Sequence, residues 1–386
     1  MRIGLVCPYS LSVPGGVQMQ VLGLARELRR RGYEARVLGP CDGPPPTSFV
    51  TPLGNSLPTA ANGSIAPLAP DPPAVLRTVR AITNGDFDVL HVHEPLAPGP
   101  SITTVLTHPR PVVGTFHAAG TSASYRAFHR ALSRIANRID RRVVVSKDAL
   151  ALVQGYLGGD YEMLFNGIEV GMIRSVEPWE RPAGHRPVVF FCGRHEERKG
   201  LRVLIDAFDL LSIDVELWVA SDGPDTAALV RRTSGDERIR WLGRVDDAEK
   251  FARLRAADVF CAPSLGGESF GVVLLEAMAA DTAVVASALD GYQNVATDDV
   301  DALLTEPGDA ADLARTLERA LTDRALADRI RAAGHDRAGE FAMATLADRY
   351  LELYDEARDV WTANRPAGSP GRRGRARRLI AWSSSS

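Results

Sequence analysis

Residues 258–287, DVFCAPSLGGESFGVVLLEAMAADTAVVAS, have the pattern of a strand, a loop, a helix and a second strand. DVFCAPS (258–264) is a short apolar run typical of a buried strand, LGGE is a flexible loop, and SFGVVLLEAMAA has the length of a helix. TAVVAS (282–287) is again a short apolar run. Because strands joined through a helix lie parallel, the stretch predicts a βαβ unit and therefore a parallel sheet.

The same alternation recurs along the chain in two series of apolar runs. The first series is RIGLVC (2–7), EARVLG (34–39), FDVLHVH (87–93), PVVGTF (111–116) and RRVVVS (141–146), and the second is PVVFFCG (187–193), VELWVAS (215–221), IRWLG (239–243), DVFCAPS and TAVVAS. Amphipathic stretches such as VQMQVLGLARELRRRG separate several of the runs. The pattern predicts an α/β protein with two successive parallel-sheet domains.

The domain limits follow from changes in composition. A polar, Pro-containing segment from Glu177 to Arg186 separates the two series and is the predicted linker. We therefore expect an N-terminal domain over 1–176, a C-terminal domain over 177–343, a final helix over 344–362 that returns to the first domain, and a basic disordered tail over 363–386. The Pro-rich stretch 40–73 is expected to be a long loop of the first domain.

Composition limits the classes of function. The 386 residues are 45% hydrophobic and 24% charged with a net charge of -3, so the chain lacks the basic excess of nucleic-acid-binding proteins. Four widely spaced cysteines without a C-x-x-C pair indicate a reduced, cytoplasmic protein with buried thiols. The apolar run in MRIGLVCPYS is too short for a signal peptide, and no run reaches the roughly 18 residues of a membrane span, which leaves contact with a membrane surface open.

Two loops that follow predicted strands have the character of anion sites, because ligands of parallel sheets bind beyond the carboxyl ends of the strands. In VPGGVQ (13–18), Gly15 and Gly16 let a ligand approach the amino end of a helix, although a plain turn would look the same. In GRHEERKG (193–200), Arg194 and Lys199 are suited to a diphosphate and to the charge that it develops as a leaving group, although a solvated charged loop is the alternative.

Two carboxylates flank the helix of the opening stretch. If that helix begins near Ser269, Glu276 lies about two turns along it, and Glu268 and Glu276 can border a single anion site. A carboxylate in so apolar a helix is costly unless it meets strong donors. Sugar hydroxyls would supply such donors and so would a structural arginine, so the residues alone leave ligand and structural roles open.

The order of these motifs resembles one enzyme family. E-S-F-G-x-x-x-x-E followed by A-M-A-A is similar to the E-x7-E motif of retaining GT-B glycosyltransferases of family 4. The G-R-x-x-x-R-K-G turn, P-G-G-V-Q, T-F-H (115–117) and N-G-I-E (166–169) occur in the expected order, and the agreement extends to about residue 360. The resemblance implies a GT-B fold, with two Rossmann-like parallel-sheet domains that face each other across a cleft.

Within the family, V-C-P-Y-S, N-G-S-I-A and G-D-F-D-V-L-H-V-H-E-P resemble the phosphatidylinositol mannosyltransferases of actinobacteria. That likeness implies transfer of mannose from GDP-mannose, with retention of configuration, to the inositol of phosphatidylinositol. It also implies peripheral contact with an anionic membrane at the cytoplasmic face. No tightly bound cofactor is implied, and a divalent ion such as Mg²⁺ is possible without a defined site.

The resemblance also implies a role for individual residues. The donor would be bound by Gly16, Arg194, Lys199, Val245, Lys250, Glu268, Phe270, Gly271, Val272 and Glu276, the acceptor by Tyr9, Gln18, Asn62 and Ser64, and the catalytic set would be His117, Arg194, Lys199 and Glu268. In this scheme Glu276 holds the ribose and Glu268 holds hydroxyls of the donor sugar. His117 lies beside the anomeric carbon, and the leaving diphosphate accepts the proton of the incoming hydroxyl.

Other interpretations of these residues compete. His91 and His93 share one strand face, as metal ligands do, but no third ligand is apparent, so no metal site is predicted. Asp86 and Asp88 have the D-x-D form of metal-dependent GT-A transferases, but they precede a strand at its amino end, away from the ligand edge. His117 taken alone is as well explained by a packed core histidine.

The departures from the mannosyltransferase pattern concern the acceptor. P-L-A-P follows N-G-S-I-A where basic residues are usual, and the next helix keeps only Arg77 and Arg80, which weakens attraction to anionic lipid. A usual glycine is Asp281, and the arginine-rich tail either rests on a membrane or solubilises the chain. The alternatives are therefore a family-4 transferase with another donor or a soluble acceptor, and a silent nucleotide-sugar or lipid-binding protein.

Overall fold

The computed structural model describes residues 1–13, 15–61, 64–118, 123–268 and 270–364. These residues form a seven-stranded and a six-stranded parallel sheet, each with helices packed on its faces, and a separate two-stranded hairpin. Each sheet has its own hydrophobic core on both faces. The predicted α/β class with two Rossmann-like parallel-sheet domains is confirmed.

The first domain is built on the seven-stranded sheet. Its strands are β1 (Arg2–Val6), β2 (Glu34–Gly39), β3 (Val50–Pro52), β4 (Leu57–Ala61), β5 (Ser64–Leu68), β6 (Val89–His93), β7 (Val112–Phe116), β8 (Arg141–Val144) and β9 (Glu162–Met163), and its helices are α1 (Gly16–Arg30), α2 (Pro72–Asn84), α3 (Pro100–Thr107), α4 (Ala123–Ala136), α5 (Lys147–Leu157) and α6 (Val170–Ser175). The strand order is β3-β2-β1-β6-β7-β8-β9. The order reverses between β1 and β6, so the ligand crevice of this sheet lies at the carboxyl ends of those two strands.

The second domain repeats this plan. Its strands are β10 (Val188–Cys192), β11 (Glu216–Ala220), β12 (Ile239–Gly243), β13 (Val259–Ala262), β14 (Ala283–Ser287) and β15 (Leu303–Thr305), and the helices that follow α6 are α7 (Leu201–Phe208), α8 (Thr226–Arg232), α9 (Asp247–Ala256), α10 (Val272–Ala279), α11 (Ala310–Thr322), α12 (Arg324–Glu340) and α13 (Met343–Ala363). The strand order is β12-β11-β10-β13-β14-β15. The switch point therefore lies between β10 and β13, directly below the loops that carry Arg194 and Glu268.

The segment 40–73 differs from the expectation of a long loop. It contains the edge strand β3 and the antiparallel hairpin of β4 and β5, in which Leu57 pairs with Leu68. Short strands interrupted by proline lack the alternation of apolar and polar residues by which a strand is recognised in a sequence. The hairpin docks on the loop after β1, since the amide of Ser10 donates to the carbonyl of Pro67 at 2.9 Å.

The chain crosses between the domains twice, and the two crossings pair with each other. The amide of Ile168 donates to the carbonyl of Phe341 at 2.9 Å, and the amide of Met343 donates to the carbonyl of Ile168 at 2.7 Å. The buried side-chain amide of Gln20 on α1 makes two further bonds to the backbone of Gly167, at 2.6 and 2.9 Å. The crossing is thus fixed to the helix that carries Gly16 at its start.

Helix α6 packs on the second domain and helix α13 packs on the first, although each follows the strands of the other domain in the chain. Ile168, Val170 and Ile173 pack into the second-domain core, upstream of the boundary drawn at 176 from the sequence. Helix α13 contributes buried side chains, including Tyr350 and Tyr354, to the first-domain core. Among the described helices, none has both the length and the apolar character that a membrane span requires.

Candidate active site

Glu268 occupies the loop that follows β13, at the switch point of the second sheet. Its Oε1 accepts a hydrogen bond from Lys199 Nζ at 2.5 Å and another from Ser264 Oγ at 3.1 Å. Arg198 Nη1 lies 3.5 Å from the same oxygen. The carboxylate is therefore held by the cationic turn after β10, and its side chain remains 12% exposed, so it can still meet a ligand.

Helix α10 begins at Val272, three residues later than the predicted start near Ser269. Gly271 precedes it with φ of 90°, in the left-handed region, and a Cβ at this glycine would lie 3.0 Å from Val295 and 3.1 Å from Tyr292. The break in helical conformation at Gly271 delays the helix and leaves its first amide groups without partners in the helix. Phe270 is buried and stacks on Phe165, with ring centroids 5.2 Å apart, so its backbone rather than its ring can reach a ligand.

Glu276 pairs with a lysine. Its Oε1 lies 3.0 Å from Lys250 Nζ, and Lys250 Nζ also lies 3.2 Å from Asp247. Burial raises the pKa of Glu276, while the attraction of Lys250 opposes that rise. Burial lowers the pKa of Lys250, but the charges of Glu276 and Asp247 outweigh burial and raise it. The cost of burying the Glu276 carboxylate is thus offset by the charge of Lys250 on α9. Lys250 also lines a cavity.

That cavity measures about 1000 Å³ and lies above the carboxyl ends of β10, β11 and β12. Its lining residues are Cys192, Arg194, Ser221, Asp222, Gly223, Pro224, Thr226, Ala227, Arg244, Val245 and Lys250. Arg194 contacts Glu196 at 3.3 Å and is 68% exposed, so its guanidinium can turn toward a bound anion. Three residues predicted to bind the donor, Arg194, Val245 and Lys250, therefore share one cavity of the size that holds a nucleotide.

His117 follows β7 in the first domain and lies in a cluster of histidines. Its Nε2 is 2.9 Å from His93 Nδ1, and its backbone amide donates to Glu94 Oε1 at 2.6 Å. Burial lowers the pKa of His117 to about 3, so the ring is neutral at physiological pH. His117, His93 and Phe165 line one small cavity, and Phe165 stacks on Phe270. The ring of Phe165 therefore connects His117 to Phe270, in the loop between β13 and α10 of the second domain.

Glu94 is a buried carboxylate at the carboxyl end of β6, at the switch point of the first sheet. Its φ is 45°, an uncommon conformation for a residue other than glycine, and Oε1 accepts from the amides of both His117 and Ala118. Burial raises the pKa of Glu94 to about 7, although those two hydrogen bonds oppose the rise. Glu94 thus holds the backbone that carries His117.

Gly16 opens α1 at the carboxyl end of β1. Its backbone is accessible, since a Cβ built on Gly16 would meet no atom within 4 Å. Nearby, the side chain of Gln18 is buried and donates to the carbonyl of Ser10 at 3.3 Å. Tyr9 is partly buried, and burial followed by the charge of Glu94 raises its pKa. The structure therefore groups Gly16, Gln18 and Tyr9 at the same sheet edge as Glu94.

Of the predicted acceptor residues in the hairpin segment, Ser64 begins β5. Tyr9 pairs with Leu68, at the far end of β5 from Ser64. Ser64 and Leu68 are four positions apart in the strand, about 13 Å along the backbone. Asn62 lies outside the described residues. The backbone of Ser64 therefore lies about one strand length from the bridge between Tyr9 and Leu68.

Several residues of the site were not predicted from the sequence. Glu94 and His93 stand at the end of FDVLHVHEP, and the placement of polar residues just after a strand was their only signal. Ser264 and Tyr292 support Glu268, since the two hydroxyl oxygens lie 2.9 Å apart, but nothing in the local sequence marks them. Within the described part of the chain, no group of three or more His, Cys, Asp or Glu side chains is placed to hold a metal ion.

Comparisons with known proteins agree with this geometry. The family model described as "Glycosyl transferases group 1" matches residues 186–323, and the one described as "Glycosyltransferase Family 4" matches residues 14–172. HepE from Anabaena, solved with UDP, aligns with a TM-score of 0.69 at 20% identity over 92% of this chain and 100% of its own. Sucrose-phosphate synthase from Thermosynechococcus elongatus aligns with a TM-score of 0.69 at 20% identity over 94% and 100%.

Two Rossmann-like parallel-sheet domains that align with solved GT-B structures define the GT-B fold, and the two family models identify the chain as a glycosyltransferase. The sequence is 40% identical to the phosphatidyl-myo-inositol mannosyltransferase of Mycobacterium leprae over 92% of this chain and 96% of that protein. It is 36% identical to the protein of the same name from Propionibacterium freudenreichii over 84% and 87%. The chain belongs to glycosyltransferase family 4.

Proposed function

We propose that the protein transfers mannose from GDP-mannose, with retention of configuration, to the inositol ring of phosphatidylinositol. The observation that carries this proposal is the pair of glutamates, Glu268 on Lys199 and Glu276 on Lys250, in a chain 40% identical to a phosphatidyl-myo-inositol mannosyltransferase. Each carboxylate remains an acceptor for sugar hydroxyls while a lysine offsets the cost of its burial.

The donor is proposed to bind across the second switch point. The nucleoside would occupy the cavity lined by Val245 and Lys250, with Glu276 accepting from the ribose hydroxyls. Lys199 and Arg194 would bind the diphosphate from the turn after β10, and the free amides at the start of α10 would meet the sugar or its phosphate. Gly16 would approach the diphosphate from the first domain, where no side chain blocks its backbone.

The chemistry is proposed to occur on one face of the sugar. The bond from the anomeric carbon to the diphosphate breaks while the inositol hydroxyl approaches from the same side, and the leaving diphosphate oxygen takes up the proton of that hydroxyl. Lys199 and Arg194 stabilise the negative charge on the leaving group, which is the main electrostatic contribution of the protein. His117 is neutral and lies close to the sugar, where it orients a hydroxyl. Closure of the two domains excludes water and limits hydrolysis of the donor.

The acceptor is proposed to enter at the edge of the first sheet, where Tyr9 and Gln18 lie. The lipid requires the protein to rest on an anionic membrane surface, and we place this contact at the cytoplasmic face, as the resemblance to the family implies. The exposed side chain of Leu76 on α2, 70% accessible, is suited to such contact. This scheme assigns no protein site to a divalent ion.

The proposal is tested by a product assay. The full chain is incubated with GDP-mannose and vesicles of phosphatidylinositol, and a mannosylated lipid is detected by mass spectrometry, with vesicles of phosphatidylglycerol as the matched anionic control. Parallel reactions contain soluble inositol phosphates or UDP-glucose. Transfer to soluble inositol phosphate without any mannolipid would overturn the acceptor, and transfer from UDP-glucose alone would overturn the donor.

The donor base is identified independently by thermal stabilisation. A ligand present at 100 times its dissociation constant stabilises the folded state by about 2.7 kcal/mol. If GDP-mannose is the donor, GDP binds more tightly than UDP or ADP. At equal concentrations GDP should therefore raise the melting temperature most. The same shift must shrink when Glu276, which is proposed to hold the ribose, is replaced by alanine. Equal shifts for the three nucleotides would contradict the assignment of the base.

A further inference from the structure

His93 makes a direct contact with the ring of His117 from within the sheet. It lies on β6, is 2% exposed, and places Nδ1 2.9 Å from His117 Nε2. The rings of His93 and His117 lie nearly parallel with centroids 5.2 Å apart, and the ring of His93 also stacks on His91, with centroids 4.3 Å apart. His93 is thus fixed between two other rings and has little freedom to rotate.

Both members of the pair are neutral. Burial lowers the pKa of His117 to about 3 and lowers the pKa of His93 as well, with the neighbouring histidines adding to the effect. A neutral imidazole carries a proton on one nitrogen only. The contact is therefore a single N–H donor on one ring and a single lone pair on the other, and its direction decides the tautomer of both rings.

The environment of His93 Nε2 indicates which ring donates the hydrogen bond between His93 Nδ1 and His117 Nε2. Among the described residues, no side chain or backbone group bonds His93 Nε2, and this atom is fully buried. The small cavity that His93 lines measures about 10 Å³, the lower limit for one water molecule. If Nδ1 accepted the bond, Nε2 would carry a proton in this enclosed place, and buried N–H groups without acceptors are rarer than unsatisfied acceptors. Nδ1 of His93 is therefore the donor.

We propose that His93 is a positioning residue which donates from Nδ1 to His117 Nε2 and so fixes His117 as the tautomer protonated on Nδ1. His117 then presents an N–H donor to the substrate. A base is not needed, because the leaving diphosphate takes the proton. The role of His117 beside the donor sugar rests on the proposed function, whereas the tautomer is a property of the unliganded protein.

The tautomer is measured without substrate. The full chain labelled with ¹⁵N histidine is studied by long-range proton–nitrogen correlation, and the His117 signals are assigned by their loss in His117→Ala. The expected result is a protonated Nδ1 and an unprotonated Nε2 for His117. A protonated Nε2 on His117 overturns the proposal whatever the activity of the protein.

The effect on catalysis is measured with three substitutions of His93. In His93→Asn the amide nitrogen stands two bonds from Cβ, as Nδ1 does, whereas in His93→Gln it stands three bonds away, as Nε2 does. We expect His93→Asn to keep most of kcat, and His93→Gln and His93→Phe to lower kcat by roughly 10-fold or more, since proton placement in catalysis contributes factors of this order or greater. The dissociation constant for GDP stays unchanged in all three.

The results separate the proposal from a purely structural role and from the proposed function. Equal losses for Asn, Gln and Phe, in proportion to losses of thermal stability, would show that His93 only packs the core and would overturn the proposal. If the wild-type protein makes no mannolipid but His117 is protonated on Nδ1, the proposed function fails and the tautomer assignment stands. If the wild-type protein makes mannolipid but His117 is protonated on Nε2, the proposed function stands and the tautomer assignment fails.

Discussion

The pair of Glu276 and Lys250 predicts an asymmetry between two substitutions. Lys250→Met removes the cation that bonds Glu276 while it keeps the packing of the lysine stem, so a buried carboxylate loses its charged partner. The carboxyl group escapes the penalty by taking up a proton, which from its ordinary pKa of 4.5 costs about 3 kcal/mol at pH 7. Glu276→Gln leaves Lys250 with Asp247 at 3.2 Å, so we expect it to cost about 1 kcal/mol.

The cost of Lys250→Met should depend on pH. Burial raises the pKa of Glu276 and Lys250 opposes that rise, so the loss of Lys250 should raise this pKa further above its unfolded value. The protonated carboxyl causes no penalty below the unfolded pKa, and stability is lost as the pH rises toward the folded pKa. The deficit relative to the wild-type protein should therefore be near zero at about pH 4.5 and grow with pH to at most about 3 kcal/mol at pH 7.

The free energy of unfolding is measured by urea denaturation with tryptophan fluorescence across this pH range. Lys147→Met is the matched control, because it removes the same charge from an exposed site on α5 and should change stability by less than about 0.5 kcal/mol. The m-value must stay constant for the comparison to hold. A deficit that does not depend on pH, or a larger cost for Glu276→Gln than for Lys250→Met, would refute the proposed environment of Glu276.

Three further predictions concern the loops around the site. Lys199→Ala should lower kcat by roughly 100-fold or more, because it removes a cation from the leaving diphosphate. Arg198→Ala removes a more exposed cation and should change kcat little. Steady-state kinetics with GDP-mannose test both variants. Glu94→Gln should be more stable than the wild-type protein by about 3 kcal/mol above pH 7. Burial raises the pKa of Glu94 from 4.5 to about 7, so the wild-type protein loses stability as the pH rises from 4.5 to 7, whereas the neutral glutamine does not. A gain in the free energy of unfolding that is independent of pH would contradict this account. Gly271→Ala should destabilise the protein by about 1–2 kcal/mol and weaken GDP binding, because the φ of Gly271 is 90° and an added Cβ would lie 3.0 Å from Val295. Gly266→Ala is the control, since an added Cβ there meets no atom within 4 Å and should leave the stability measured by calorimetry unchanged.

Several features of the site could be predicted because their signals are local. The motif around Glu268 and Glu276, the cationic turn at Arg194 and Lys199, and the glycine pair before α1 all lie just after strands that the apolar runs indicate. In a parallel sheet, that placement alone brings them to the ligand edge. The start of α10 was misplaced because the propensity of SFGVVLLEAMAA for helix does not reveal that Gly271 adopts a left-handed conformation.

Other features could not be predicted because they join residues far apart in the chain. The hairpin at 57–68 lacks alternation, and its partner in the loop after β1 is set by docking rather than by local pattern. The bond from His93 to His117 joins neighbouring strands at a separation of 24 residues. The clamp of Gln20 on Gly167 spans 147 residues, and a helical glutamine has no sequence signal that would distinguish it from an exposed one.

By itself, the sequence determined that two α/β domains form and which loops carry anion-binding and carboxylate residues, since strand runs, helical periods and glycine-rich turns are short-range properties of the chain. Only the tertiary structure decided which charges meet. Lys199 pairs with Glu268 across 69 residues, and Lys250 rather than an arginine reaches Glu276. These partners depend on the order β11-β10-β13, in which distant segments become neighbours, and on burial, which makes an uncompensated charge costly and so favours the arrangement in which Glu268 and Glu276 each meet a lysine.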